Sequence, residues 1–397
     1  MTTHVRRALK YRFYPTDAQA AELSRTFGCV RKVYNMALAA RTEAWTLRQE
    51  RVNYNATSAM LTAWKKTEEL AFLNEVSSVP LQQCLRHLQV AYTNFFAKRA
   101  RYPRFKSKKE ARASAEYTSS AFRFRDGQLT LAKMVEPLAI VWSRPLPEGA
   151  KPSTVTVSRD GAGRWFVSIL CDDPSVKPLP ATDTAIGIDA GLDSLLTLSN
   201  GEKITNPRHE RKHRARLAKA QRALAKKTKG SNNRAKARLK VARIHARISG
   251  ARRDRLHKLT TRLVRENQTI VIEDLTVRNM VKNHTLARTI SDAAWSEFRS
   301  LLEYKAHWYG RQVIAVDRWF PSSKLCSACG TIASKMPLNV RIWTCGCGTT
   351  HDRDVNAARN ILAEGLSVSV CGAGVRPQRR TPGGQSATKQ KLSQREP

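Results

Sequence analysis

The chain runs to 397 residues, 41% of them hydrophobic, which is too long for one core of ordinary size and apolar enough to build two or three. Lys and Arg number 70 against 32 Asp and Glu, and a net charge of +38 would repel itself unless a polyanion neutralised it, so nucleic acid is the expected partner rather than a merely solvated basic surface. No apolar run reaches transmembrane length, and the basic start, Met1 to Lys10, lacks the apolar stretch of a secretory signal, which argues against a membrane partner.

Val5 to Tyr14 mixes Arg6, Lys10 and Arg12 with Leu9, Tyr11 and Phe13 and reads as a strand that stops at Pro15. Thr16 can cap the helix that follows, in which Leu23, Phe27, Val30, Val33, Tyr34 and Leu38 recur at helical spacing to about Arg51. More helix is predicted in Ser58 to Glu69 and Leu81 to Lys98. Strand-like segments come next at Tyr117 to Phe124, Gln128 to Leu131, Leu138 to Trp142, Ser153 to Ser158 and Trp165 to Cys171, with Asp126-Gly127 and Asp160-Gly161 as hairpin signals. Short strands so spaced predict a small antiparallel barrel interrupted by helices. Between helices and strands, Arg101 to Lys109 interleaves cations with aromatics. Arg104, Phe105, Lys106 and Lys108 are thus candidates for phosphate contact and base stacking, with a plain basic loop anchored by its aromatics as the equal alternative.

Val176 to Thr184 reads as a linker into the second half. There, Ala185 to Ile188, Leu195 to Leu198 and Glu202 to Thr205, turning on Asn200-Gly201, predict a β-meander. Asp189 sits at the end of its first strand as either a turn residue or a metal ligand, because a carboxylate among apolar strand residues is costly to bury without a partner. Arg208 to Val264 is dominated by Lys, Arg and Ala, with one narrow apolar seam through Leu217, Ala220 and Leu224 and another from Leu239 to Leu263. It reads as a helical hairpin whose other faces meet phosphates. Gln268 to Glu273 is a strand ending in an acid, Trp295 to Tyr309 a helix, Gln312 to Asp317 a strand and Asn356 to Glu364 a last helix. From Val375 on no core-forming run remains, and disorder is expected.

Cys326-Ser-Ala-Cys329-Gly330 and Cys345-Gly-Cys347-Gly348 form two close thiol pairs, the pattern of one structural, four-coordinate Zn²⁺. The second pair has a single residue between its cysteines, and His351 is a possible substitute ligand. Cys29, Cys84, Cys171 and Cys371 are scattered, which suits a reducing cytoplasm. Three acids, Asp189, Glu273 and Asp354, lie far apart in the chain, and Asp352 or Asp354 could equally be a helix cap. Their meeting depends on the fold.

Gly187-Ile188-Asp189-Ala190-Gly191, the strand Ile270 to Leu275, and Asp352-Arg353-Asp354-Val355-Asn356-Ala357-Ala358 resemble the three split RuvC motifs of TnpB, the OrfB-type protein of bacterial insertion sequences. Lys10 to Thr16, Gly28 to Asn35 and Pro103 to Lys108 extend the resemblance over nearly the whole chain. The resemblance implies an α/β multidomain protein. A barrel (wedge-like) domain would span 1–15 and 100–175, with a helical recognition insert at 16–99 and a linker at 176–183. A RuvC/ribonuclease H-like mixed sheet would span 184–318 and 348–366, carrying the basic hairpin at about 207–265, with the zinc ribbon at 319–347 and a disordered tail at 367–397. It further implies an RNA-guided DNA endonuclease that holds a guide RNA, cuts a double-stranded DNA target beside a short flanking motif, and uses Asp189, Glu273 and Asp354 on two Mg²⁺ ions. Asp274, Asp193 and Asp352 are the nearest alternatives. Glu273 and Asp274 face opposite ways on a strand, so only one should reach the site. Two rival readings are an RNA-loaded repressor that binds without cutting and a transposase or recombinase that uses no RNA.

Overall fold

Alternation in Val5–Phe13 puts Leu9, Tyr11 and Phe13 on one face, and in the computed structural model that face of the strand, β1, is fully buried. Residues 5–108, 113–337 and 339–370 are described, which leaves Lys109, Cys371 and the rest of the tail expected to lack structure outside the described residues; residues 367–370, expected to belong to that tail, instead continue the last helix. The chain divides into two compact units, residues 6–173 and the part from Pro174 onward.

In the first unit, helix α1 (Asp17–Arg48) starts as predicted. Thr16 accepts from the Gln19 amide, and the Gln19 side chain accepts from the Thr16 amide in return. α2 (Tyr54–Trp64) begins four residues before the expected Ser58, because the Asn53 side chain accepts from the Ala56 amide and caps it there. With α3 (Ser78–Phe96), these helices enclose Val33, Leu38, Leu61, Leu81, Leu85 and Leu88.

The remaining strands of this unit are β2 (Ala113–Thr118), β3 (Phe122–Arg125), β4 (Gln128–Leu131), β5 (Ile140–Val141), β6 (Lys151–Arg159) and β7 (Trp165–Asp173). They correct the predicted barrel. Among the described residues no closed barrel forms. Instead there is an open sheet in the order β2-β6-β7-β1-β5, with β3 and β4 as a separate ribbon. A 3₁₀ turn at Ser119–Ala121 breaks the run expected to be one strand, and β5 pairs only Ile140 and Val141 with β1, too little to carry the sheet round to β2. The ribbon turns on Asp126 and Gly127, both at positive φ, and lends Leu129 and Leu131 to the sheet's core without joining its ladder.

The second unit is built on β8 (Ala185–Asp189), β9 (Ser194–Leu198) and β10 (Lys203–Thr205), the predicted meander, with β11 (Thr269–Glu273) and β12 (Gln312–Val316) added in parallel beside β8. The order β10-β9-β8-β11-β12, with β8, β11 and β12 parallel and β9 antiparallel to its neighbours β8 and β10, is a mixed sheet, as the resemblance implies. α4 (His209–Ala225) and α5 (Asn232–Glu266) make the basic hairpin. α5 spans 35 residues, about 52 Å. Its outer part meets α4 through Ile244 and Ile248 on Leu217, and its inner part seats Leu256, Leu259 and Leu263 in the sheet's core. Short helices α6 (Val277–Met280) and α7 (Ala287–Ala293) lead into α8 (Trp295–Tyr309), which adds Trp295, Phe298 and Leu302 to that core. No helix among the described residues is long and apolar enough to cross a membrane.

The opposite face of the sheet receives the last helix, α9 (Arg353–Val370), after the hairpin β13 (Ile342–Thr344) and β14 (Thr350–Asp352). Strand periodicity sends Ile270 and Ile272 to the α5/α8 side and Val271 to the α9 side, where it meets Ile314, Val316 and Ile361. The helix lies unusually close to β8. A Cβ on Gly187 would overlap the Ala358 carbonyl oxygen and stand 2.8 Å from Leu362 Cβ, and one on Gly365 would overlap the Val271 side chain. Gly187→Ala is therefore expected to cost at least about 2 kcal/mol, read from the urea midpoint of the second unit's transition. Gly28→Ala, in the interior of α1 where a Cβ meets nothing, should instead stabilise by about 0.5–1 kcal/mol.

Candidate active site and metal centre

Parallel pairing of β11 with β8 sets Ile272 beside Ile188, so Asp189 and Glu273 occupy the C-terminal ends of adjacent strands. α9 begins at Arg353, earlier than the predicted Asn356, so Asp354 lies in its first turn rather than ahead of it. All three acids are half-buried. Burial pushes the Asp189 carboxyl well above the ordinary carboxylate range, and the negative charges of Glu273 and Asp354 push it further, so the three sit within one another's field. Glu273 is raised by burial too, an effect moderated by the Ser322 hydroxyl, which donates to Oε1 at 3.2 Å, and by the Ala190 amide.

The neighbouring acids are already answered. Asp274 accepts from Arg299 and Arg318, and these two guanidiniums outweigh its burial and hold its carboxyl low. Asp352 does two jobs: Oδ1 caps α9 by accepting from the amides of Asp354 and Val355 at 3.1 Å each, and Oδ2 pairs with Lys203 at 2.6 Å. Asp193 pairs with Arg208 and Arg341. Arg341 also reaches Asp354 Oδ1 at 3.3 Å, so it bridges two acids. Asp189 and Glu273 have no such partner within ion-pair distance among the described residues, which separates them from the alternatives on electrostatic grounds.

Cys326, Cys329, Cys345 and Cys347 bring their sulfurs within 4.8 Å of one another, a convergence that the three carboxylates do not match. The separations of Cys326 from Cys347 and of Cys329 from Cys345 are 3.8 and 3.6 Å. A tetrahedron with Zn–S bonds of about 2.3 Å has edges of about 3.8 Å, so the set fits zinc. The short second pair does not spoil the site: Gly330 donates to the Cys326 carbonyl and Gly348 to the Cys345 carbonyl, each at 2.9 Å, so both pairs close a similar turn. The Thr331 hydroxyl and amide pull the Cys329 thiol down to about 6 and the Thr349 hydroxyl lowers Cys347, which favours thiolate at these two positions. At Cys345 the lowering by the Cys347 amide is outweighed by burial and by hydrogen bonds to the other three thiols, which push it up to about 11. His351 lies outside the four. Its Nε2 is 3.0 Å from Cys326 Sγ, the place of a supporting partner rather than of a ligand.

Several residues that sequence reasoning passed over hold this site together. Asn356 accepts from the Ser327 amide and donates to the Leu325 carbonyl, and Asn360 donates to the carbonyls of Ser322 and Leu325. The two asparagines, one turn apart and nearly fully buried, tie the first cysteine loop to α9. The signal was the i, i+4 pair of amides on an otherwise alanine-rich helix face. Of the candidate nucleic-acid contacts in the first unit, Arg104, Phe105 and Lys108 are exposed. Lys106 is folded inward, its Nζ 3.7 Å from the Tyr34 ring centre and its amide bonded to Asn35 Oδ1 at 2.8 Å.

Comparison with known proteins bears on this arrangement. A family described as "Probable transposase", of OrfB type, matches residues 166–284, a "Cas12f1-like, TNB domain" matches residues 295–361, and a helix-turn-helix domain of OrfB type matches residues 1–50. A Streptomyces pristinaespiralis protein named "Putative RNA-guided DNA endonuclease" is 71% identical over 98% of this chain and 97% of its own. The chain belongs to the TnpB (OrfB-type) family. An Escherichia coli K12 relative of the same description, InsQ, is 35% identical to this TnpB-family chain over 94% of it and 97% of the relative. The fold of the chain is similar to that of a protein solved as a "Cas12f1-sgRNA-target DNA complex", with a TM-score of 0.57 at 12% identity, covering 90% of this chain and 98% of that one. For the zinc ribbon of this TnpB-family protein, Cys326→Ser with Cys329→Ser should release about one zinc per chain by metal analysis and lower the unfolding midpoint of the second unit.

Proposed function

We propose that this chain is an RNA-guided DNA endonuclease of an insertion sequence, cutting a double-stranded target beside a short flanking motif. The observation that carries the reading is the pair of acids at the ends of β8 and β11, partly buried, without an ion pair among the described residues, and joined by Asp354 from the helix laid across them. The relatives named as RNA-guided DNA endonucleases, aligned over almost their whole lengths, support the same reading. The excess of 38 positive charges suits a protein that grips polynucleotides.

Asp189, Glu273 and Asp354 would hold two Mg²⁺ ions. The donor set fits: three oxygen ligands, hard and anionic, two of them raised by burial and so relieved by a nearby cation. Bound there, the metal supplies activation of the attacking water and charge compensation at the leaving oxygen. The chain's own residues set the geometry. Ser322 and the Ala190 amide orient Glu273, Asp352 caps the helix that carries Asp354, and Arg341 positions Asp354 against Asp193. Zinc in the four-cysteine ribbon has no open position and serves the fold. The hairpin of α4 and α5 offers exposed cations such as Lys240, Arg243 and Arg247 to phosphates, while sequence is left to pairing with the guide. The paired-free thiols at Cys29, Cys84 and Cys171 suit a cytoplasmic setting.

With guide RNA and Mg²⁺, Asp189→Ala should reduce DNA cleavage to background while target binding persists. Asp274→Asn, which changes an acid already neutralised by two arginines, should stay within a few-fold of wild type. Cleavage by Asp189→Ala at the wild-type rate would remove the mechanism, and a wild-type chain that binds its target with Mg²⁺ and never cuts it would favour a repressor. Lys240→Ala, Arg243→Ala and Arg247→Ala together should lower the slope of log affinity against log salt by up to about 3.

A further inference from the structure

The loop after β12 leaves from Glu273 and returns to it. Val316 pairs with Glu273 in the sheet, and Ser322, six residues on, donates its hydroxyl to the Glu273 carboxylate at 3.2 Å. Trp319 stands midway between the two attachments. Three residues of chain span at most about 11 Å, so its backbone stays within that distance of both.

At this point the polypeptide presents an indole to solvent, with Trp319 84% exposed. The exposure does not come from a loose loop. The Trp319 amide donates to Asp317 Oδ1 at 2.8 Å and the Phe320 amide to the Asp317 carbonyl at 3.1 Å; the Ser322 amide donates to the Phe320 carbonyl at 2.8 Å, and Asn360 bonds the Ser322 carbonyl from α9 at 2.8 Å. Phe320 is turned inward onto Val271, Ile314, Val316 and Ile361. A turn braced on both sides therefore buries one ring and holds the next one out.

Single exposed apolar side chains are ordinary on protein surfaces, so exposure alone would assign Trp319 nothing. Its place decides the matter. A DNA strand with a phosphate at the three acids has neighbouring bases within reach of the loop, and a strand drawn into such a site is unpaired there. An unpaired base offers an apolar face, and aromatic stacking holds any of the four bases, which suits a protein that leaves sequence to a guide. Arg318, next to Trp319, is held by Asp274, and Asp317 is exposed in the same turn, but Lys324 is exposed just beyond the loop and the chain as a whole carries a net charge of +38, so a polyanion is the favoured partner of this surface.

We propose that Trp319 is the stacking platform that holds an unpaired base of the cleaved strand beside the acid site. The inference rests on the endonuclease reading and adds to it a substrate-positioning residue that none of the three motif acids supplies. To test it, the RNA-loaded protein in the Asp189→Ala background is bound to targets carrying 2-aminopurine at successive positions around the cut. Quenching is expected at one or two adjacent positions, lost in Trp319→Ala and kept in Trp319→Phe. In the Asp189 background of the native chain, single-turnover cleavage by Trp319→Ala should fall at least about tenfold with target binding unchanged, and Trp319→Phe should remain within about threefold. Equal losses in the Ala and Phe variants, or wild-type cleavage and undiminished quenching in Trp319→Ala, would overturn the proposal. A chain that never cuts yet shows Trp319-dependent quenching would sink the endonuclease reading and leave the stacking site standing.

Discussion

The candidate site depends on how closely α9 lies against β8. Gly187 has no side chain, Ala357 and Ala358 are fully buried on the facing helix, and Gly365 passes over Val271 in the same way one further turn and more along. Small residues on both surfaces let a helix approach a sheet to backbone contact. That approach brings the first turn of α9, and Asp354 with it, into the field of an acid at the end of β8. A larger residue at any of these positions would lift the helix and draw the third carboxylate away. The Gly-x-Asp and Asp-x-Asn-Ala-Ala patterns are thus two sides of one packing contact as well as carriers of acids.

Electrostatics then sorts the carboxylates. In a chain with so large an excess of cations, the acids around the site divide by whether they hold an ion pair. Asp193, Asp274 and Asp352 each have one or two basic partners, while Asp189 and Glu273 are partly buried without an ion pair among the described residues; Arg353 and Arg341 act on Asp189 from further off and do not offset its burial and the charges of Glu273 and Asp354. Arg341 joins the two groups by touching Asp193 and Asp354 together, and it enters from the segment just before β13. The zinc ribbon is therefore tied to the site twice, once through this arginine and once through Asn356 and Asn360, whose amides hold the first cysteine loop. The four-cysteine knot, which the sequence marked as structural, thereby also fixes the start of the helix that carries an acid.

In the first unit local signals were read well where they were strong. The Thr16 cap, the α1 periodicity and the Asp126-Gly127 turn all form as expected. The barrel did not form, because strand spacing along a chain says how many strands there are and not which edges meet. β5 is too short, and the β3–β4 ribbon pairs only with itself. Lys106 shows the same limit at one residue: among exposed Arg104, Phe105 and Lys108 it looked like another surface cation, but Tyr34 and Asn35 from α1 draw it inward.

By itself the sequence determined the affinity of the protein for nucleic acid, the four-thiol metal pattern, the meander and the basic hairpin, since each of these is written in composition or in spacing over a few residues; the three acids stood out through the resemblance of their motifs to those of a known family. Only the tertiary structure decided that Asp189 and Glu273 end adjacent parallel strands, that the competing acids are neutralised, that Ser322, Asn356 and Asn360 brace the site, and that His351 stands behind the cysteines. The reason is physical. Pairing of distant strands and the approach of a helix to a sheet are set by complementary surfaces that are scattered along the chain, and a contact such as Gly187 against Ala358 has no signature until both partners are in place.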